Sequence, residues 1–417
     1  MRILIIGAVS GNGGDAAILR AEVDSIREAA APEAVYVDVV DSHPALTRTA
    51  VPQADRVVGS AAPSPSAERN TPPLVVRALR KLRRLTVSQA QPTSEPVFPL
   101  PSEEILQLIA EADVVLYTGG TSLVEHYPLG PKLALMRTAL LMGKPLVLGT
   151  QSLGPFAVDA HAAAMRAITA EASAVLLRDE KSLQNLRAID ARCDHVHVLP
   201  DVVFASGEPV LRPTVSAKPP RVAVSVRSWT KYQRLGSRAG QQKYEEAVRD
   251  AVTWLVKEHN AEVTFISTCQ GVPGYWTDDS AIAAHIAAGL GSDVRERVTV
   301  IREHIPPERL QRRFAEFDVV LATRMHAAIL ALNAGTPVVA VAYEFKTQEL
   351  FSRLGMSSLV HEIDAVTGCN LRRSLASVLD DTARARGLVA DAVANLRPRA
   401  NELGQHVVAS ARRRPSE

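Results

Sequence analysis

The sequence predicts an α/β protein of two Rossmann-like domains on parallel sheets, facing a central crevice. Three observations predict it. Short apolar runs alternate with helical stretches from the N-terminus onward, the pattern of βαβ units. One strand–helix–strand unit then occurs twice: Ala112-Asp113-Val114-Val115-Leu116-Tyr117-Thr118 is echoed by Phe317-Asp318-Val319-Val320-Leu321-Ala322-Thr323. Each copy leads to a helix, a Gly-x-Pro stop (Gly143-Lys144-Pro145, Gly335-Thr336-Pro337) and a second apolar run. Finally, Pro209, Pro213, Pro219 and Pro220 cluster between the copies and mark a linker near 207–220.

Taken in order, Ile3 to Ala8 read as a buried strand. The turn Gly11-Asn12-Gly13-Gly14-Asp15 follows, then a helix over 16–30 and a strand from Val35 to Val40. Residues 42–100 are rich in Pro, Ser, Ala and Arg and read as a mobile insertion with one helix, Leu74 to Leu85. A helix over 102–111 and the strand Val114 to Tyr117 restore the pattern, and Ala174 to Leu177 add a short strand. The second domain opens on the strand starting at Arg221. Its repeat unit runs from Val319–Leu321 through the helix Ala327–Ala334 to the strand Val338–Ala342. The expected bounds are 1–212 for the N-terminal domain, 218–370 for the C-terminal one, and 371–417 for Ala/Arg/Leu-rich helices packing back on the first.

Bulk composition excludes several functions. The chain has 417 residues, 47% hydrophobic and 22% charged, with a net charge of +2, an ordinary globular balance. That charge makes no case for a polyanion partner. Aromatic residues are only 4%, which argues against stacking platforms for nucleic acid. Cys193, Cys269 and Cys369 are odd in number and far apart, giving neither a disulfide framework nor metal-ligand spacing. The N-terminus turns Gly-rich too soon for a signal peptide, and no run reaches the ~18 apolar residues of a membrane span. The reading is a cytoplasmic protein without a metal or cofactor.

The chemistry is sought at strand exits, where open α/β sheets bind ligands. Arg324-Met325-His326 stands where a strand hands over to a helix, whose free N–H groups favour an anion. Arg supplies a planar fork for carboxylate or phosphate, and His exchanges a proton near neutrality. Arg227 ends the strand beginning at Arg221 and is a second cation for the same crevice; stacking on Trp229 is the competing reading. From the first domain come Gly119-Gly120-Thr121-Ser122 and Gln151-Ser152, whose hydroxyl and amide groups suit a sugar. The turn Ser10 to Asp15 is neither a dinucleotide fingerprint nor a P-loop. A ligand loop and a plain βα turn are both open for it, with Asp15 a candidate N-cap. Arg178-Asp179 and Asp201 read best as a structural ion-pair cluster. The stretch 74–85 places Val75, Leu79, Leu82 and Leu85 on one stripe with cations around it, an interfacial-helix pattern that competes with a helix packed on its own domain.

Together these segments resemble the polysaccharide pyruvyl transferase family. The matching motifs are Gly11-Asn12-x-Gly14-Asp15-Ala16, Gly119-Gly120, Gly149-x-Gln151-Ser152-x-Gly154-Pro155-Phe156, Arg178-Asp179-x-x-Ser182, Pro200-Asp201, Ser225-Val226-Arg227, Ser267-Thr268-Cys269-Gln270, Asp318 through Arg324-x-His326, and Gly335-x-Pro337 with Tyr343-x-x-Lys346. Thr121 stands where the family pattern has a third glycine. The resemblance implies a GT-B-like fold and transfer of a carboxyvinyl unit from phosphoenolpyruvate to a sugar of an envelope or exopolysaccharide glycan, giving a pyruvate ketal and phosphate. It implies His326 and Arg324 as catalytic residues, with two roles open for His326: handling the proton or only binding the phosphate. Arg227, Arg324, Met325, His326 and Lys346 would hold the donor. Asn12, Gly13, Asp15, Gly119, Gly120, Thr121, Gln151 and Ser152 would hold the acceptor, lipid-linked if 74–85 touches membrane. Two other readings stand beside it: a GT-B glycosyltransferase using a nucleotide sugar, with Glu344 on the ribose, and a non-catalytic glycan-binding or scaffold protein.

Overall fold

The computed structural model describes residues 1–60, 101–207 and 219–413. They form two compact units. The first comprises Met1–Ser10, Ile18–Val202 and Arg399–Glu417; the second comprises Gly11–Ala17 and Val203–Pro398. The boundary thus falls at Val202/Val203, ahead of the proline cluster, of which Pro209 and Pro213 lie outside the described residues.

The first unit is built on β1 (Arg2–Ala8), β2 (Tyr36–Asp41), β3 (Arg56–Gly59), β4 (Val114–Tyr117), β5 (Gly120–Leu123), β6 (Leu146–Leu153), β7 (Ala174–Leu177) and β8 (Val196–Val198). The order is β3-β2-β1-β4-β6-β7-β8, with β5 pairing β6, and the pairings are parallel. Helices cover the sheet, so β4, β6 and β7 are buried along their whole length. That is why they read as unbroken apolar runs instead of alternating ones. Leu4, Ile6, Val115, Tyr117, Leu146 and Leu148 meet Met136, Met165 and Ile168 in one core.

Part of the expected insertion is ordinary sheet. Residues 44–50 form a helix, and Arg56–Gly59 form β3, which extends the sheet beyond β2. A four-residue edge strand carries too little apolar signal to announce itself, and what fixes it is charge. Arg56 donates to both oxygens of the buried Asp38, at 3.0 and 2.7 Å, and Arg2 reaches the same carboxylate at 2.9 Å. The stretch 61–100, with the expected helix 74–85, lies outside the described residues.

The second unit holds β9 (Arg221–Ser225), β10 (Glu262–Phe265), β11 (Val298–Val300), β12 (Val319–Ala322), β13 (Val338–Ala342) and β14 (Val360–Glu362). They are parallel, in the order β11-β10-β9-β12-β13-β14. Val222, Val224, Phe265, Val319 and Leu321 pack against Tyr244, Val248 and Val252 of the long helix Ser237–His259.

The internal echo has a physical meaning. Asp113, ahead of β4, accepts the Arg2 N–H at 2.7 Å and returns its own N–H to the Arg2 carbonyl at 2.8 Å. Asp318, ahead of β12, does the same with Arg221, both at 2.8 Å. In each unit this aspartate clips the entry of the fourth strand to the entry of the first, setting their register.

The C-terminal helices are divided between the units. Gly368–Leu379, capped by a reciprocal Thr367/Asn370 box, packs on the helix Ser237–His259 of the second unit. The helix Glu402–Arg412 belongs to the first unit, where the Gly404 N–H donates to Ser25 Oγ at 3.0 Å and Arg412 pairs with Glu33 at 2.9 Å. Among the described residues, no helix is long and apolar enough to cross a membrane.

Candidate functional site

In the second unit the strand order reverses between β9 and β12, the point where open parallel sheets leave a crevice at their carboxyl edge. Arg227 follows β9, and Arg324 follows β12. Arg324 is the N-cap residue of the helix Met325–Asn333, with no side-chain cap bond. The first N–H groups of that helix and its positive dipole end therefore lie at the same edge.

The two arginines differ in their surroundings. Arg324 is buried and gripped by Asp279, with Nε to Oδ2 at 2.8 Å and Nη2 to Oδ1 at 2.7 Å. Asp279 also accepts from Ser267 Oγ at 2.6 Å. Burial works against the charge on Arg324. The Asp279 carboxylate beside it outweighs that and holds its pKa above the usual guanidinium value. Arg227 is equally buried but lies over two rings, 4.2 Å from the Tyr343 centroid and 5.3 Å from Trp229. Its Nε donates to the Ser228 carbonyl at 3.3 Å, and no carboxylate pairs with it among the described residues. The stacking on Trp229 is therefore present, with Tyr343 the closer ring. A cation resting against a pair of rings, without a carboxylate partner, is a ready receptor for an acidic group.

The glycine turn belongs to this unit and not, as its place in the chain suggests, to the first. The Gly13 N–H donates to the Thr268 carbonyl at 2.8 Å, and a Cβ on Gly13 would come within 2.5 Å of that oxygen. A Cβ on Gly14 would come within 2.5 Å of His326 Nδ1. The glycines are needed because the backbone lies directly against Thr268 and the imidazole. Asn12, expected on the acceptor, accepts the Gly14 N–H at 2.9 Å and so closes the turn, the role considered for Asp15. Asp15 is half-buried, close enough to Cys269 and Tyr275 to push both up in pKa, although burial is the larger cause for each.

Two other donor-side candidates have partners. Lys346 pairs with Glu344 at 2.6 Å and lies 6.0 Å from the Tyr343 ring centroid. Met325 is a buried core side chain, so only its backbone is at the edge.

In the first unit the reversal is between β1 and β4, and the turn Thr118–Thr121, made of the β4–β5 link and the first two residues of β5, leaves β4 there. Gln151 and Ser152, expected on the acceptor, are buried and hydrogen-bonded within the protein. Gln151 donates to the Thr118 carbonyl, and Ser152 accepts from Arg178 Nε at 2.8 Å while donating to Asp179. Both occupy β6, whose sides are covered by its neighbours. Arg178 also pairs with Asp201 at 2.6 Å and donates to Thr121 Oγ1, and Asp179 caps the helix Glu180–Arg187. This is the structural cluster read from the sequence. Gly119 and Gly120 are buried as well, and Thr121 keeps partial exposure.

Sequence reasoning missed Asp279 and Glu22. Asp279 starts a helix 45 positions before Arg324, so no local pattern joins them. Glu22 carried a signal: it is an acid on the buried stripe of the helix Gly13–Ala30, beside Ile18, Ala21 and Ile26.

The profile described as polysaccharide pyruvyl transferase matches residues 12–344. The chain belongs to the polysaccharide pyruvyl transferase family. The amylovoran biosynthesis protein AmsJ of Erwinia amylovora is 25% identical over 427 residues, covering 98% of this chain and 100% of that protein. Among solved structures, Anabaena HepE in complex with UDP-glucose superposes with a TM-score of 0.57 at 14% identity, covering 98% of this chain and 99% of that one. The UDP-GlcNAc 2-epimerase of Neisseria meningitidis bound to UDP-GlcNAc gives 0.56 at 11%, covering 98% and 99%. At such identities these likenesses establish the GT-B-type fold alone.

Proposed function

We propose that this family member transfers the carboxyvinyl group of phosphoenolpyruvate to a sugar of an exopolysaccharide or envelope glycan and closes it into a pyruvate ketal. The observation that carries the reading is Arg227: a buried guanidinium beside the paired Tyr343 and Trp229 rings, with no carboxylate partner among the described residues, across the β9/β12 switch point from Arg324. Phosphoenolpyruvate brings a carboxylate and a phosphate. Arg227 takes one acidic group by its fork. The helix start at Met325, with the Asp279-braced Arg324, takes the other.

In this reading His326 delivers a proton to the enol carbon, which becomes a methyl group. The adjacent carbon gains oxocarbenium character and is attacked by a sugar hydroxyl, which loses its proton. The bond to the phosphate oxygen breaks with its electron pair, phosphate leaves, and a second hydroxyl closes the ketal with loss of another proton. Positioning and charge stabilisation supply most of the acceleration. The acceptor sugar is assigned to the turn Thr118–Thr121, and the kinship with AmsJ favours a polysaccharide precursor.

The test is phosphate release from phosphoenolpyruvate against a panel of sugars, with mass spectrometry of the product. A product heavier by a pyruvyl ketal supports the reading. Thermal stabilisation by a nucleotide sugar and none by phosphoenolpyruvate would favour a glycosyltransferase instead. That alternative needs an acid for the ribose, and Glu344 is already engaged by Lys346.

A further inference from the structure

The mechanism above makes no use of Glu22, a carboxylate with 0% exposure inside the first unit. Its Oε1 accepts the Gly119 N–H at 2.7 Å, and its Oε2 accepts the Thr118 hydroxyl at 2.7 Å. From β6, Gly149 closes over it, and a Cβ there would come within 2.6 Å of Oε1. From beyond β8 comes Asp201, whose charge opposes that of Glu22 and is itself paired to Arg178. The same turn is held at its Thr118 carbonyl by Gln151 and at Thr121 by Arg178. Glu22 thus supplies the carboxylate of a three-point mount for the turn leaving β4 at the switch point.

We propose that Glu22 is a positioning residue for the acceptor: its carboxylate shapes the turn Thr118–Thr121, and proton uptake by Glu22 loosens that turn. The acceptor part rests on the function proposed above; the mount itself does not. An ionised carboxylate accepts at both oxygens, matching the two donors offered. A protonated one must donate from one oxygen, so either a bond is lost or the Thr118 hydroxyl reverses. The group is costly where it stands. Burial is the largest influence and pushes its pKa up to about 7, against the lowering effect of the Gly119 and Thr118 bonds. Between Ile18 and Ile26 an apolar side chain would fill the helix stripe at lower cost. A residue that works against stability while organising a switch-point turn fits the pattern of strain kept at functional sites.

The test is amide hydrogen exchange of the peptide spanning 114–123, followed by mass spectrometry at pH 6 and pH 8 and corrected for intrinsic rates, in wild type, Glu22→Gln and Glu22→Ala. Wild type should lose protection severalfold from pH 8 to pH 6. Glu22→Gln should be protected alike at both. Glu22→Ala should be about tenfold less protected at both, the scale of one charge-assisted hydrogen bond. Protection in wild type that does not change with pH, or that matches Glu22→Ala, overturns the proposal. If Glu22→Ala does not fold, wild type against Glu22→Gln decides: the same pH response in both overturns it. In turnover, Glu22→Ala should raise the acceptor KM and leave the donor KM unchanged. A wild type that never releases phosphate from phosphoenolpyruvate would defeat the proposed function and leave the exchange result standing.

Discussion

Asp279 grips Arg324 at two points, 2.8 and 2.7 Å, with the carboxylate 1% exposed and the arginine 8% exposed. The pair neutralises one of the two switch-point arginines and fixes its fork. Arg324 is therefore a braced element of the edge, whereas Arg227 has no carboxylate partner among the described residues. Asp279→Ala strands a guanidinium in the interior. The expected cost is about 3–5 kcal/mol of stability, read by urea unfolding. Asp279→Asn should be milder in stability yet raise the donor KM. Wild-type values for both variants would mean the pair neither supports the fold nor orients Arg324.

Arg227→Lys tests whether charge alone suffices. Lysine keeps the cation but loses the planar fork and the stacking on Tyr343. The donor KM should rise roughly tenfold or more, the scale of a desolvated cation–π contact, with little change in melting temperature. An unchanged KM would show that Arg227 is packing only.

Gly14→Ala and Gly13→Ala separate the imidazole from the backbone. The methyl at position 14 meets the His326 ring, and the one at position 13 meets the Thr268 carbonyl. Gly14→Ala should lower kcat by displacing His326 while the protein stays folded. Gly13→Ala should act mainly on stability, because a main-chain oxygen cannot swing aside. Equal kcat in Gly14→Ala and wild type would remove His326 from the chemistry.

Glu22 gives the first unit a pH-dependent stability. Its folded pKa is raised from 4.5 to about 7. The folded chain therefore binds this proton more tightly than the unfolded chain does. The contribution is full below about pH 4.5, declines as pH rises to about 7, and is flat above. The span is on the order of 3 kcal/mol. Urea titrations should find Glu22→Gln gaining on wild type across that window. A gap between the two that is constant with pH would contradict the assignment.

Cysteine reactivity should follow burial. Cys369 is exposed, burial raises the pKa of Cys193, and burial pushes Cys269 up to about 12 despite Arg324 nearby. Iodoacetamide at pH 8 should label Cys369 first, Cys193 more slowly, and Cys269 only on unfolding. Peptide mapping reads the order, and early labelling of Cys269 would contradict the packing around Arg324.

The sequence by itself determined the parallel α/β class and the places where chemistry could gather. Unbroken apolar strands, Gly-x-Pro stops and the Asp113/Asp318 echo are local features. They report burial and strand register without reference to distant residues. Arg324-Met325-His326 and Arg227 were legible for the same reason, since a strand exit is a local property. Only the tertiary structure decided which charges remain unanswered. Arg324 is met by Asp279, 45 positions away in the chain, and Arg227 by rings and the Ser228 carbonyl, with no carboxylate among the described residues. Only the tertiary structure, too, turned Gln151 and Ser152 inward, moved the glycine turn to His326, and set Glu22 beneath Gly119. Those outcomes depend on which strands become neighbours, and a sheet whose order reverses joins residues that no periodicity connects.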